Sequence, residues 1–183
     1  MRYCYPFHEI TNRDVPLFGG KNASLGELTG RLSELGIRVP HGFAVHSDAY
    51  LHTLQENGLV APITAALEKI NPETLEGLSD ASAECRRLID GCSIPEAIQQ
   101  EILLRYAAMG NPSVAVRSSA TAEDLPTASF AGQHESYLNI TGESALIAAV
   151  RNCYRSLFSE RAIKYRIDNG FEHMKVEIGR AHV

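Results

Sequence analysis

Leucines recur at three- and four-residue spacing early in the chain: Leu25, Leu28, Leu32 and Leu35, with Glu27, Arg31 and Glu34 between them. Apolar residues at that period share one side of an α-helix, so the pattern predicts an amphipathic helix with one buried face. Gly19-Gly20-Lys21 opens it as a glycine turn, and Gly36 closes it, because glycine accepts the backbone that ends a helix. After the turn at Val39-Pro40-His41, Gly42-Phe43-Ala44-Val45 reads as a short strand. Ser47 is placed to cap the next helix, through Tyr50, Leu51 and Leu54, which Asn57-Gly58 ends.

From about 61 to 108 the pattern predicts helical hairpins. Asn71-Pro72 has the form of a helix start, with Asn as cap and Pro at the first helical position. Ser93-Ile94-Pro95-Glu96 fits a capping box. Leu75, Leu78, Cys85, Leu88 and Ile89 form one apolar face, and Ile98, Ile102, Leu103 and Tyr106 another. No set of side chains here has the makings of a catalytic site, so the section reads as a helical insert or cover. The character changes at Met109-Gly110-Asn111-Pro112: Ser113-Val114-Ala115-Val116 is a β-branched run of strand type. A segment rich in small residues follows, from Ser118 to Gly132, then a second strand, Tyr137-Leu138-Asn139-Ile140. Leu146, Ile147, Val150, Tyr154 and Leu157 predict one more helix, and Glu160 to Asn169 a last one, ended by Gly170. Strands, helices and glycine-rich connections together indicate an α+β or α/β domain.

Composition narrows the function classes. The formal net charge of -5 and pI near 5.8 argue against an electrostatic nucleic-acid binder, which is usually basic. They leave room for a small anion held by a local cluster of donors. Cys4, Cys85, Cys92 and Cys153 have no C-x-x-C spacing and read as free, buried or half-buried thiols. The N-terminus lacks the apolar stretch of a signal peptide, and no run approaches the ~20 apolar residues of a membrane span. A reducing cytoplasm without membrane contact is the expected setting.

Three segments carry candidate chemistry. In Gly19-Gly20-Lys21-Asn22-Ala23-Ser24, the glycines let backbone approach a ligand, and Lys21 stands at a helix N-terminus, where free N–H groups favour an anion. The same residues also describe an ordinary helix start with a solvated lysine. In Val114-Ala115-Val116-Arg117-Ser118-Ser119-Ala120-Thr121-Ala122-Glu123-Asp124, an arginine follows an apolar strand, where its planar fork can hold two phosphate oxygens. Ser118, Ser119 and Thr121 add hydroxyls, while Thr121 with Asp124 reads as a capping pair. In Ala128 to Tyr137, Gly132 permits close approach to a triphosphate and Ser136 offers a hydroxyl; His134 reads as a loop histidine.

These segments, in this order, resemble the N-terminal ATP-binding domain of phosphoenolpyruvate synthases, with related domains in pyruvate phosphate dikinases and rifampicin phosphotransferases. The matching text is GGKNASLGEL, GIRVPHGFAV, AVRSSATAEDLPTASFAGQHESYLNI and SLFSERAIKYR, spread from about Asp14 to His173. Ser119 and the SFAGQ loop resemble the synthases and the rifampicin phosphotransferases rather than the pyruvate phosphate dikinases, and GGKNASLGE, with Asn22, is closer to the synthases than to the phosphotransferases. The resemblance implies an ATP-grasp fold whose first subdomain this chain supplies, with the helical section as an insert. It implies that Lys21 and Arg117 contact ATP phosphates and that Gly132 and Ser136 belong to the loop covering them. Implied partners are ATP with Mg²⁺, and pyruvate through parts not in this chain; a homo-oligomer is implied for the complete protein. The transferred phosphoryl group would ride on a histidine elsewhere, so no catalytic residue is assigned here and the chain alone is expected to be inactive. The remaining alternatives are a rifampicin phosphotransferase fragment and a non-catalytic nucleotide-binding module.

The resemblance stops near Lys175-Val176, leaving Glu177-Ile178-Gly179-Arg180-Ala181-His182-Val183. These seven residues fit the codons GAG ATC GGA AGA GCA CAC GTC, which begin a common sequencing adapter. They are expected to be a non-native, poorly packed tail on a partial domain spanning 1–176.

Overall fold

The computed structural model describes residues 1–37, 39, 41–118, 124–125, 128–129 and 135–174. Two strands that are distant in sequence start the fold. β1 (Cys4–Pro6) pairs antiparallel with β2 (Phe43–Val45), Cys4 opposite Val45 and Pro6 opposite Phe43. The other edge of β1 is closed by a side chain: Glu101 Oε2 accepts from the backbone N–H of Tyr3 at 2.8 Å and of Cys4 at 3.0 Å. The sequence reading missed β1, because three residues are too few to show alternation.

The first helix, α1 (Val15–Glu34), is interrupted at Gly19, whose φ of 78° and ψ of 161° are not helical. The break strands the carbonyl of Phe18, and the Asn22 side chain repairs it, donating from Nδ2 at 2.8 Å. The expected glycine turn is therefore present, but a helical stretch from Val15 precedes it. The expected buried leucine face is only partly observed: Leu25 and Leu32 are half-buried, and Leu25 packs on Phe7, Ile10, Phe18 and Ala44. Leu28 is 46% exposed and Leu35 73%, whereas Ala23, Asn22 and Phe18 are buried. The helix packs through its small residues as well, because Gly26 lets the backbone of Phe7 and Ile10 approach closely. Leu28, Leu35 and Ile37 remain as an apolar ridge open to solvent.

The helical section comprises α2 (Ser47–Glu56), α3 (Val60–Leu67), α4 (Leu78–Asp90) and α5 (Glu96–Ala108). Asn57 and Gly58 end α2 as expected, Gly58 with a φ of 63°. Three expected helix starts shift. His46, not Ser47, caps α2: its Nδ1 accepts from Asp48 N at 3.1 Å. Asn71 begins no helix; its Oδ1 closes a single turn on the N–H groups of Glu73 and Thr74, and Leu75 is left-handed at φ 59°. That takes Leu75 off the predicted apolar face, and α4 starts only after Gly77. Ser93 forms no capping box, because Asn57 bridges to its backbone from both sides: Oδ1 accepts from Ser93 N and Nδ2 donates to Ser93 O. The remaining faces hold: Cys85, Ile89, Ile98, Ile102 and Tyr106 are buried.

A second ladder joins β3 (Val114–Arg117) to β6 (Ser136–Ile140), antiparallel, with Val114 opposite Ile140 and Arg117 opposite Ser136. A two-residue ladder between them pairs β4 (Asp124–Leu125) with β5 (Ala128–Ser129). α6 (Glu143–Ser156) packs on β3, β6 and α4, and α7 (Glu160–Asp168) also rests on α4. Leu146, Val150, Tyr154 and Leu157 fill the interior from α6, as the periodicity predicts. The architecture is thus α+β, with helices and short antiparallel ladders around one main core. The four cysteines are free and buried, and burial raises the thiol pKa of each. No described helix is long and apolar enough to cross a membrane.

Among the described residues, the buried guanidinium of Arg166 has no carboxylate partner. Arg166 is 1% exposed, and its Nε donates to His173 Nδ1 at 3.0 Å. Burial lowers the arginine to about 10, and burial together with the neighbouring guanidinium lowers His173 to about 4. The unfolded chain takes up a proton on this histidine near pH 6.5 and the folded chain only near 4. Stability contributed by neutral His173 is therefore present above pH 6.5 and lost as the pH falls toward 4. Because this imidazole is only half buried, the expected loss is about 1–2 kcal/mol, smaller than the full shift would give. Urea midpoints at pH 7 and pH 4.5, for the parent and His173→Gln, check this. The parent should lose more than the variant, and equal losses would contradict it.

Candidate nucleotide-phosphate site

Strand alternation decides which side chains of β3 reach solvent. Val114 and Val116 turn inward and are buried, so Ala115 and Arg117 point to the other side, with Arg117 exposed. Ala115 and Arg117 both line a cavity of about 990 Å³. Its opposite wall is apolar, built by Pro6, Phe43, Leu25 and Met109 from β1, β2, α1 and the end of α5. Four groups that are or can become cationic border the same space: His8, His41, Arg105 and Arg117. Among the described residues neither arginine forms an ion pair. A guanidinium without a carboxylate at the border of a half-apolar cavity suits an anionic, partly aromatic ligand.

The structure brings two predicted contact residues together. Ser136 stands directly opposite Arg117 in the β3–β6 register, and both are exposed. Neighbouring cross-strand positions hold side chains close enough to contact one group. Ser118, the residue after β3, is buried, and its Oγ has no hydrogen-bond partner among the described residues. Lys21 is not part of the cavity wall. It lies in the first turn after the Gly19 break, exposed, and one turn before Leu25, which does line the cavity. Gly132 lies outside the described residues, as do Ser119, Thr121, Glu123 and His134.

Sequence reasoning gave no role to Arg105, His8 or His41. The only local signal for Arg105 is its place one residue before buried Tyr106, on a helix that otherwise reads as cover. Its place on the same cavity as Arg117 depends on long-range packing of α5 against β1 and α6. A second groove, about 380 Å³ between α5 and α6, is lined by Gln99, Leu103, Glu143, Ile147 and Arg151 and contains none of the predicted contact residues.

Residues 15–181 match the family described as pyruvate phosphate dikinase, AMP/ATP-binding domain. The chain belongs to that family. The expected resemblance is therefore borne out, and it covers the cavity-lining β3 and the Gly19 turn alike. Among curated relatives, the phosphoenolpyruvate synthase of Helicobacter pylori (strain ATCC 700392 / 26695) is 45% identical over 184 residues, covering 97% of this chain. That of Aquifex aeolicus (strain VF5) is 46% identical over 176 residues, and that of Escherichia coli (strain K12) 40% over 176. The matched stretch is 21–23% of these relatives, so the chain spans about a fifth of their length. The AMP/ATP-binding family makes an adenine nucleotide the ligand class for this domain.

Proposed function

We propose that this chain is the ATP-binding part of a phosphoenolpyruvate synthase and that Lys21, Arg117, Gly132 and Ser136 hold the nucleotide's phosphates. The observation that carries the reading is Arg117, displayed on the solvent face of β3 at the cavity, with the Ser136 hydroxyl across from it. A guanidinium presents a planar fork that matches two phosphate oxygens, and a hydroxyl beside it can donate to a third. The lysine ammonium is a point charge that can follow the terminal phosphate as its position changes. In phosphoryl transfer most of the protein's contribution is placing and stabilising that charge, which is the task these residues would perform.

In this reading the fold is the first subdomain of an ATP-grasp domain, and a second subdomain supplies the other wall. The complete reaction converts ATP, pyruvate and water to AMP, phosphoenolpyruvate and phosphate through a phosphohistidine borne outside this chain. Mg²⁺ would accompany ATP, and no ligand set for it is assigned here. Pyruvate binding, homo-oligomer formation and a cytoplasmic setting belong to the same proposal. The chain alone should bind ATP weakly and release no AMP. Residues 177–183 lie outside the described residues, and their reading as a non-native tail is tested by the codons of the gene.

The test is AMP release by the full-length protein translated from the reading frame that contains this sequence. Release that requires both ATP and pyruvate is the expected result. Nucleotide binding with no AMP release would mark a non-catalytic module, and release that requires rifampicin instead of pyruvate would mark the antibiotic phosphotransferase.

A further inference from the structure

We infer that Arg105 is a second phosphate-contacting cation of the cavity, supplied by the helical section that the sequence presents as mere cover. The inference rests on the nucleotide reading of that cavity.

Core packing and two hydrogen bonds hold α5 in place. Ile98, Ile102 and Tyr106 anchor the helix in the main core. The Tyr106 hydroxyl donates to Pro112 O at 2.8 Å and accepts from Gly142 N at 3.2 Å, which ties the end of α5 to the turn before β3 and to the start of α6. Arg105 is therefore carried on a fixed last turn, half-buried, with its side chain on the cavity wall. Arg117 reaches the same cavity from β3.

Among the described residues Arg105 forms no ion pair, and the two candidate carboxylates each hold another group. Glu101 is one turn earlier on α5, the usual helical partner position. Its Oε2 is taken by the two backbone N–H groups at the edge of β1. Glu9 feels the charge of Arg105, but its Oε2 is bound to Arg2 Nη1 at 2.6 Å. Among the described residues, then, neither of the two guanidinium groups bordering the cavity has an ion-pair partner. Two cations bordering one cavity favour a polyanion there, and a polyphosphate has oxygens enough for both forks. The competing role for Arg105 is structural: a cation in the last turn of a helix interacts favourably with the helix dipole.

The experiment uses the isotope-labelled chain and follows the arginine Nε–Hε resonances during titration with ATP and, separately, with adenosine. The expected result is that both Arg105 and Arg117 shift with ATP and neither shifts with adenosine. A shift of Arg117 alone overturns the role of Arg105 and leaves the phosphate site in place. Shifts of neither overturn both. Alongside, Arg105→Ala should weaken ATP binding about tenfold and leave adenosine binding unchanged, with Arg105→Lys in between. A folded Arg105→Ala chain that binds ATP like the parent contradicts the inference.

Discussion

Replacing Arg117 by alanine in the full-length protein is expected to remove about 2–5 kcal/mol of interaction with ATP, which lowers kcat/KM for ATP by roughly 30-fold to a few thousand-fold. The loss is large because a phosphate oxygen in a closed, dry site would be left without its charged donor. The substitution should leave the fold intact, since Arg117 is exposed on the last residue of β3 and the inward positions Val114 and Val116 are untouched. Arg117→Lys restores the charge but not the fork, so partial recovery is expected. Steady-state kcat/KM for ATP, measured together with circular dichroism of each variant, reads both effects. Turnover within twofold of the parent for a folded Arg117→Ala protein would show that this residue does not hold phosphate.

The second large effect is on stability. Gly26→Ala is expected to destabilise the chain by about 3 kcal/mol. An added Cβ would stand 2.1 Å from Ile10 O, 2.8 Å from Ile10 C and 2.9 Å from Phe7 O. All three are backbone atoms, which cannot swing aside as a flexible side chain would. Relief requires α1 to lift off the Phe7–Ile10 stretch, and that opens the small cluster of Phe7, Ile10, Phe18 and Ala44. Gly30 is the internal control. It lies on the same helix with nothing within 4 Å of its added Cβ, so Gly30→Ala should be neutral or stabilise by about 0.5–1 kcal/mol. Urea denaturation of the two variants separates the cases. Equal midpoints would show that the close approach at Gly26 does not constrain the helix.

Gly26 also shows where the sequence was legible and where it was not. Its neighbours Gly19-Gly20-Lys21 announce a turn and a helix start, and the structure has the break at Gly19. Nothing local says that Gly26 faces the backbone of Ile10, because that contact joins segments paired only through tertiary packing. The leucine period of α1 predicted a helix correctly and its buried face only in part. Periodicity reports which residues share a side, not whether anything covers it, and here Gly26 and Ala23 make the contact while Leu28 and Leu35 stay open.

The strands follow the same division. Val114-Ala115-Val116 is β-branched and alternates, so β3 and the display of Arg117 could be read directly. β1 could not, since it exists through pairing with β2 and through Glu101, which is 97 and 98 residues away from the amides it accepts. Helix starts were misplaced where a side chain bound the backbone in another way than the local motif suggests: His46 caps α2, Asn71 closes a single turn, and Asn57 ties down the Ser93 backbone. Within the site, Arg117 and Ser136 were legible as motif residues, whereas their register pairing and the presence of Arg105 arise from packing of β6 and α5.

The central claim is that Arg117 and Lys21 hold the phosphates of ATP on this domain. A structure of the full-length protein with ATP bound tests it most directly. The account predicts phosphate oxygens within about 3 Å of the Arg117 guanidinium and the Lys21 ammonium, with Ser136 in the same neighbourhood. A nucleotide bound elsewhere, with both cations out of hydrogen-bond reach of its phosphates, would contradict the account.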